Sequence, residues 1–207
     1  MKISYAITVC NEYEEIQKLV STILINSRDE DEIVILFDKK AGTAEVWDYL
    51  VGLQSQDLIK AYPKTFKGHF ANWKNELTLL CKGDYIFQID ADEFPSEILT
   101  DTLPTILEAN PDNEVYFVPR INTVKGLTQE HINKWGWNKD ADGKVNWPDY
   151  QSRIWKNIPE IKWVNKVHEK LEGFKTMGRL PATVEMALHH PKEIKRQEKQ
   201  NAYYDTL

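Results

Sequence analysis

Blocks of apolar residues separated by polar turns predict alternating strands and helices in the first half of the chain. Ile3–Cys10 is a β-branched run with little polar alternation, which is typical of a strand covered on both faces. Asn11 follows as a candidate helix cap, and apolar residues then recur at helical spacing from Ile16 to Leu24. Asp31–Phe37 predicts a second buried strand.

The same pattern continues to the middle of the chain. Thr43 is predicted to cap a helix, Leu58–Tyr62 to form a weaker strand, Phe70–Leu80 to form a helix and Tyr85–Ile89 to form a central buried strand. This alternation predicts an α/β fold, a Rossmann-like, doubly wound and mainly parallel sheet. Ligands of such sheets bind beyond the carboxyl ends of the strands.

The second half has a different, more polar pattern with a long Trp-bearing segment. It predicts a small antiparallel sheet and a charged final helix. The predicted elements are a helix at Glu97–Glu108 that Pro104 splits in two, a strand at Val115–Ile121, a loop at Gly126–Pro148, paired antiparallel strands at Tyr150–Trp155 and Lys166–Leu171, a strand at Val184–His189 and a helix at Glu193–Tyr204.

Length, charge and cysteine content narrow the class of protein. The 207 residues suit one domain, with a formal net charge of -6 that argues against nucleic acid as a partner. Two cysteines are too few for a disulfide framework, which predicts a reducing, cytoplasmic location. No signal peptide and no apolar run of transmembrane length is recognisable.

The central strand ends in a group of carboxylates. Asp90 and Asp92 are separated only by the small Ala91, so both carboxylates can point at one divalent cation at the mouth of a sheet. Mg²⁺ and Mn²⁺ prefer such oxygen ligands and bind one or two carboxylates together with substrate phosphates. Acidic residues also end strands in solvated loops, so a lone pair of this kind is weak evidence.

The ordered set of motifs along the chain resembles a family 2 glycosyltransferase of GT-A fold. The matching pieces are Ala6–Glu12, Asp38, Phe70–Asn75, Gly83–Glu93, Asp149–Trp155 and Val167–Glu169. The compact length and the C-terminal helix also resemble N-terminal domains of multi-domain glycosyltransferases of large algal viruses. Further domains C-terminal to this one are therefore expected in a longer chain.

This resemblance implies a UDP-sugar donor, a hydroxyl acceptor on a glycan, inversion at the anomeric carbon and an Mn²⁺ or Mg²⁺ ion. It also implies that residues 1–95 form the half that binds the nucleotide-sugar and residues 96–207 the half that binds the acceptor. Individual residues on the donor side receive roles as well. Asp38 would accept a hydrogen bond from the uracil imide, and Lys74 would balance the diphosphate charge. The remaining donor-site residues would be Thr8, Asn11, Glu12, Asp90 and Ala91, and the metal ligands would be Asp92, Asp90 and His190.

An inverting transfer needs a base that takes the proton of the acceptor hydroxyl. Asp149 is the first candidate, because it lies in the acceptor half just before a predicted strand, and Glu169 is the second. His168 is a further candidate for a metal or diphosphate contact. Three tryptophans of the long polar segment are candidates to stack on an acceptor sugar, although such residues as often pack a loop against the fold. These are Trp135, Trp137 and Trp147.

Asn138–Asp149 also matches a calcium-loop template, with oxygen-bearing residues at five ligand positions and Gly143 at the sixth position. A non-catalytic calcium- or carbohydrate-binding module is therefore one alternative function. A sugar-phosphate nucleotidyltransferase is another, although its basic, glycine-rich phosphate loop is replaced here by an acidic turn after Cys10.

Overall fold

The computed structural model describes residues 1–204, and a nine-stranded sheet forms its centre. Its strands run in the order β3-β2-β1-β4-β7-β6-β11-β5, with β10 paired to the start of β6. A second sheet contains only β8 and β9. The strands are β1 Ile3–Val9, β2 Glu32–Asp38, β3 Lys60–Lys64, β4 Tyr85–Asp90, β5 Phe94–Pro95, β6 Val115–Lys125, β7 Lys144–Lys156, β8 Lys162–Val164, β9 Lys170–Glu172, β10 Met177–Arg179 and β11 Leu188–Glu193.

Six α-helices flank the sheet: α1 Tyr13–Asn26, α2 Ala44–Gln54, α3 Phe70–Thr78, α4 Glu97–Ala109, α5 Gln129–Trp135 and α6 Ile194–Tyr204. Thr43 caps α2 as predicted, since its hydroxyl accepts a hydrogen bond from the Val46 N–H. The predicted cap at Asn11 is wrong. Glu12 occupies the cap position of α1, and its side chain bonds the turn before the helix instead. None of the helices among residues 1–204 combines the length and apolarity needed to cross a bilayer.

Two apolar clusters cover the two faces of the sheet, which confirms the predicted doubly wound, mainly parallel arrangement. Alternate residues of β1 point to opposite faces, so Ile7 joins the cluster under α1, α2 and α4 while Ala6 joins the cluster under α3 and the small sheet. β2 is buried along its whole length. These strands are apolar along their whole length because both faces of the sheet are covered.

Pro104 does not split α4, contrary to the prediction. The helix runs unbroken from Glu97 to Ala109 and buries Leu99, Leu103 and Leu107. An internal proline costs roughly 3 kcal/mol, whereas each fully buried leucine contributes about 1.5–3 kcal/mol. Burial of the leucine face thus outweighs the lost hydrogen bond.

The predicted strand pairs of the second half are partly wrong. Tyr150–Trp155 belongs to β7, which joins the main sheet antiparallel to both β4 and β6, and the small sheet instead pairs β8 with β9. The predicted loop at residues 126–148 contains α5 and the start of β7. The predicted strand at residues 184–189 divides into a 3-10 turn at Val184–Met186 and β11.

Candidate active site

The parallel register brings the predicted donor residues to one edge of the sheet. Thr8 of β1 is level with Asp90 of β4, and Val9 is level with Phe37, the residue before Asp38. Neighbouring strands are about 4.8 Å apart, so Asp38 and Asp90, two strands apart, lie on the order of 10 Å from each other. Asp38 Oδ1 accepts backbone hydrogen bonds from Lys40 (3.0 Å) and Phe66 (3.1 Å). These bonds fix the carboxylate within the crevice.

Asp90 is surrounded by donors from four other residues. Oδ1 accepts hydrogen bonds from Thr8 (3.2 Å) and Gln88 (2.8 Å) and lies 3.7 Å from the Lys74 ammonium. Oδ2 accepts a 2.8 Å bond from Arg153. Burial alone would raise the pKa of Asp90, but the charges of Lys74 and Arg153 lower it well below its usual range. The carboxylate is therefore ionised and held in one orientation; its role as a metal ligand stays a prediction.

Asp92, by contrast, faces the other half of the molecule. Its Oδ2 lies 3.4 Å from Nε2 of His190 on β11 and 3.5 Å from the Arg196 guanidinium on α6. Burial alone would raise the pKa of Asp92, whereas the hydrogen bond and charge of His190 and the charges of Lys192 and Arg196 lower it to about 2. A carboxylate and an imidazole nitrogen are thus brought together from sequence positions almost a hundred residues apart.

The Asp92–His190 pair has the dimensions of two neighbouring ligands of one cation. Ligands about 2.1 Å from an octahedral ion, at right angles to each other, are roughly 3 Å apart, close to the observed 3.4 Å. Within residues 1–204 no three His, Cys, Asp or Glu side chains form a metal-binding group. Of the three predicted ligands, Asp92 and His190 therefore lie together, while Asp90 is paired with Lys74 and Arg153.

Ala91 is buried between the two aspartates and offers no functional group other than its backbone. The adjacent Glu93 is completely buried, with its carboxylate bonded to the Arg120 and Arg153 guanidiniums and to the Asp90 N–H. Arg153 also donates a 2.6 Å hydrogen bond to Gln88. An ion-pair chain therefore runs from Asp90 through Arg153, Glu93 and Arg120 to Asp149.

The sequence interpretation assigned no role to Glu93, Arg120 or Arg153. A signal was present: Arg120 and Arg153 each interrupt an apolar strand, and a charge inside such a strand needs a buried partner. The identity of that partner was not visible in the local pattern.

Asp149 lies at the far end of this chain. Its Oδ2 accepts hydrogen bonds from Arg120 (2.7 Å and 3.0 Å) and Asn122 (2.9 Å), and its Oδ1 accepts one from Gln151 (2.7 Å). Burial alone would raise the pKa of Asp149, but the charge of Arg120 and these hydrogen bonds lower it. The side chain is a quarter exposed, so an ionised carboxylate reaches the acceptor half of the crevice.

Glu169, the second candidate base, approaches the same centre from the small sheet. Its carboxylate lies 2.6 Å from the Lys74 ammonium, which also packs 4.7 Å from the Trp163 ring centre. The Asn75 amide exchanges two 2.9 Å hydrogen bonds with the Trp163 backbone and ties the small sheet to α3. Lys74 is buried and paired, and its predicted contact to a diphosphate stays a prediction.

Asn11 and Glu12 lie in the turn after β1. Glu12 accepts hydrogen bonds from its own backbone neighbours Cys10 (2.8 Å) and Asn11 (3.0 Å), and it pairs at 3.1 Å with Arg196. Arg196 also pairs with Glu15 at 2.8 Å. The final helix is therefore anchored across the edge that carries Asp92. Asn11 is exposed beside this turn.

Two of the predicted acceptor tryptophans, Trp135 and Trp137, follow the end of β6, whereas Trp147 lies near the start of β7. Trp135 packs against Trp137, with 4.7 Å between ring centres, and against His131 at 5.2 Å. The Trp147 ring lies 5.6 Å from the Lys144 ammonium. His168 lies in the exposed segment between β8 and β9. The structure places these side chains and leaves their predicted roles as predictions.

The segment that matches a calcium loop folds as a hairpin turn. Asp140 Oδ1 accepts the Asp142 and Lys144 N–H groups, and Asn146 accepts the Asn138 N–H. Asp149, the last residue of the template, is turned away toward Arg120. Calcium binding by this segment stays a prediction.

Two open cavities border β11. One of about 380 Å³ is lined by His190, Phe94 and Lys18 among others, and one of about 540 Å³ is lined by Arg196, Lys192 and Lys125 among others. Neither is lined by Asp38 or Asp92.

Comparison with known proteins places this arrangement in context. The model of glycosyl transferase family 2 matches residues 4–174. No curated protein gives a significant match in sequence.

Solved structures of S. aureus TarS share the fold. TarS 1-349 aligns with a TM-score of 0.65 at 12% identity, over 92% of this chain and 60% of that one. The same fragment in complex with UDP gives a TM-score of 0.64 at 13% identity, over 92% and 60% of the two chains. Its complex with UDP-GlcNAc gives 0.65 at 11% identity, over 93% and 59%. This chain thus spans about three fifths of those solved fragments. With its GT-A fold and a family match across most of its length, the chain belongs to glycosyl transferase family 2.

Proposed function

We propose that this protein is a metal-dependent, inverting glycosyltransferase that moves a sugar from a UDP-sugar to a hydroxyl of a glycan acceptor. One observation carries the proposal: Thr8, Asp38, Asp90 and the Asp92–His190 pair meet at the carboxyl edge of one sheet, where ligands of such folds bind. The complexes of the structurally similar TarS with UDP and UDP-GlcNAc support a nucleotide-sugar donor.

The donor would lie along the tips of β2, β1 and β4. Asp38 accepts two backbone bonds on Oδ1, so its second oxygen is suited to the uracil imide. Asp92 and His190 would hold an Mn²⁺ or Mg²⁺ ion, for which their donor set and 3.4 Å spacing are suited. When bound, this ion would supply charge neutralisation for the departing diphosphate.

The acceptor would enter from the second half of the molecule. Asp149 is proposed as the base, because its carboxylate is ionised, partly exposed and fixed by Arg120 and Asn122. Its Oδ1 accepts a single hydrogen bond, from Gln151, and so keeps capacity for the acceptor hydroxyl. Stacking of an acceptor sugar on Trp135, Trp137 or Trp147 and a cytoplasmic location belong to the same proposal.

Thermal-shift titration of the purified chain with UDP, GDP, CMP and dTDP, each with and without Mn²⁺, tests the donor assignment. Stabilisation by UDP that depends on the metal is expected. Asp38→Asn should remove the preference for UDP over CMP, whereas Asp48→Asn on the exposed face of α2 should retain it. Indifference of the wild type to all four nucleotides would reject the proposal and favour a binding module. A response to nucleoside triphosphates combined with sugar phosphates would favour a nucleotidyltransferase.

A further inference from the structure

One amide side chain links the candidate base to the candidate metal ligand. Asn122 Nδ2 donates a 2.9 Å hydrogen bond to Asp149 Oδ2, and Asn122 Oδ1 lies 2.8 Å from His190 Nδ1. Asn122 is the direct register partner of His190 in the β6–β11 ladder. The β6–β7 pairing is irregular between Arg120 and Asn122, which accommodates Asp149 on the other side of the same strand.

The chemistry of these groups determines which way the amide points. An ionised carboxylate accepts hydrogen bonds and does not donate them, so the NH₂ group of Asn122 must face Asp149. Asp149 is held ionised because the Arg120 guanidinium lowers its pKa. The amide oxygen therefore faces His190 and accepts a hydrogen bond from Nδ1, which must carry the proton.

With Nδ1 bonded to the amide, the His190 ring is fixed so that Nε2 faces Asp92, 3.4 Å away. An acceptor on the second ring nitrogen is the usual device that sets the ring orientation of a metal-binding histidine. The same amide thus presents His190 to the cation side and Asp149 to the acceptor side.

We infer that Asn122 is a positioning residue that fixes the His190 ring with Nε2 toward the cation side and at the same time orients the Asp149 carboxylate. The part that concerns catalysis rests on the function proposed above. The part that concerns the ring orientation does not, because it is a property of the free protein.

The first experiment uses ¹⁵N NMR of the metal-free, nucleotide-free protein to record whether Nδ1 of His190 carries a hydrogen-bonded proton. Wild-type His190 should show this proton, Asn122→Ala should lose its hydrogen bond, and Asn110→Ala, a matched change at the exposed end of α4, should retain it. A His190 without a proton on Nδ1 in the wild type would overturn the inference.

The second experiment separates the two contacts of the amide. In Asn122→Asp the side-chain oxygen still accepts from His190, but the donor to Asp149 is replaced by a repelling carboxylate. Calorimetric Mn²⁺ affinity should stay within about threefold of wild type in Asn122→Asp and fall on the order of tenfold in Asn122→Ala. The transfer rate should fall at least about tenfold in both variants.

Equal Mn²⁺ affinity of wild type and Asn122→Ala would reject the positioning of His190, and unchanged kcat in Asn122→Asp would reject the positioning of Asp149. If Asn122→Ala does not fold, the Nδ1 proton of wild-type His190 and the kcat of Asn122→Asp still decide the two parts of the inference. A wild type that binds no Mn²⁺ would contradict the proposed function, while the NMR measurement would still decide the contact between Asn122 and His190.

Discussion

Arg153 donates a 2.8 Å hydrogen bond to Asp90, although the two residues are 63 positions apart in the chain. The bond crosses between β4 and β7, where the parallel strands of the first half meet an antiparallel strand of the second half. The guanidinium is 3% exposed and also binds Glu93, which is completely buried. One cation therefore balances two carboxylates beside the candidate donor site.

Removal of this cation should destabilise the fold. Arg153→Met leaves Asp90 and Glu93 buried without their shared counter-charge, and breaking a buried ion pair from one side costs about 3–5 kcal/mol. Urea unfolding should show a loss of that size. Adding Glu93→Gln should recover part of it, since one of the uncompensated charges is then absent.

The matched control is Arg179→Met. Arg179 is exposed and lies over the Tyr150 ring at 5.3 Å, so its replacement should change the free energy of unfolding by less than about 1 kcal/mol. Similar losses for the two arginine variants would contradict the importance assigned to the buried ion-pair chain.

Stability should also fall in acid because of Glu32 at the start of β2. Burial alone would raise the pKa of Glu32, but bonds from Lys60 (2.6 Å), Ser4 (2.7 Å) and Lys2 (3.2 Å) and from a backbone N–H lower it to about 2. A carboxylate with a lowered folded-state pKa stabilises the fold above its unfolded pKa, near 4.3, and this contribution is lost as the pH falls toward 2. With the two lysines partly in solvent, the contribution is roughly 2 kcal/mol.

Comparison of wild type with Glu32→Gln measures this contribution. The difference in their free energies of unfolding should be about 2 kcal/mol at neutral pH and should shrink steadily below about pH 4. Glu172→Gln, an exposed carboxylate of the small sheet paired with Lys170, should show little difference at either pH. A gap for Glu32→Gln that does not depend on pH would show that ionisation of this carboxylate is not its source.

The choice between the two candidate bases is testable by kinetics. Asp149→Asn preserves the shape of the side chain but removes its proton-accepting charge, so kcat should fall by about 10²–10⁴. UDP affinity in the presence of Mn²⁺ should change by less than about twofold, since Asp149 belongs to the acceptor half. Asp142→Asn, in the exposed turn of the same segment, should behave as wild type.

Glu169→Gln tests the second candidate base in the same assay. If Asp149 is the base, Glu169→Gln should alter donor binding through its 2.6 Å pair with Lys74 and leave most of kcat. A collapse of kcat in Glu169→Gln together with an active Asp149→Asn would transfer the role of base to Glu169. Loss of UDP binding in Asp149→Asn would show that Asp149 has a different role from the one proposed.

In the first half of the chain, the local sequence determined where the strands form and which polar residues stand at their ends. Continuous apolar runs predict strands covered on both faces, and β1, β2 and β4 follow those runs because burial of each side chain depends on its own apolarity. The carboxylates at the strand ends were predicted from the local sequence as well, because each follows directly after an apolar run. Once a parallel sheet is assumed, its register alone brings Asp38 and Asp90 to one edge.

Only the tertiary structure decided which distant groups meet. Insertion of β7 between β4 and β6 pairs Arg153 with Asp90 and Arg120 with Asp149, and the return of β11 beside β6 brings His190 to Asn122 and Asp92. No local pattern specifies these partners, because a buried charge is stabilised by whichever opposite charge the closed chain brings within a few ångströms. Hydrophobic periodicity is a property of neighbouring residues, whereas this candidate active site is a property of strand order.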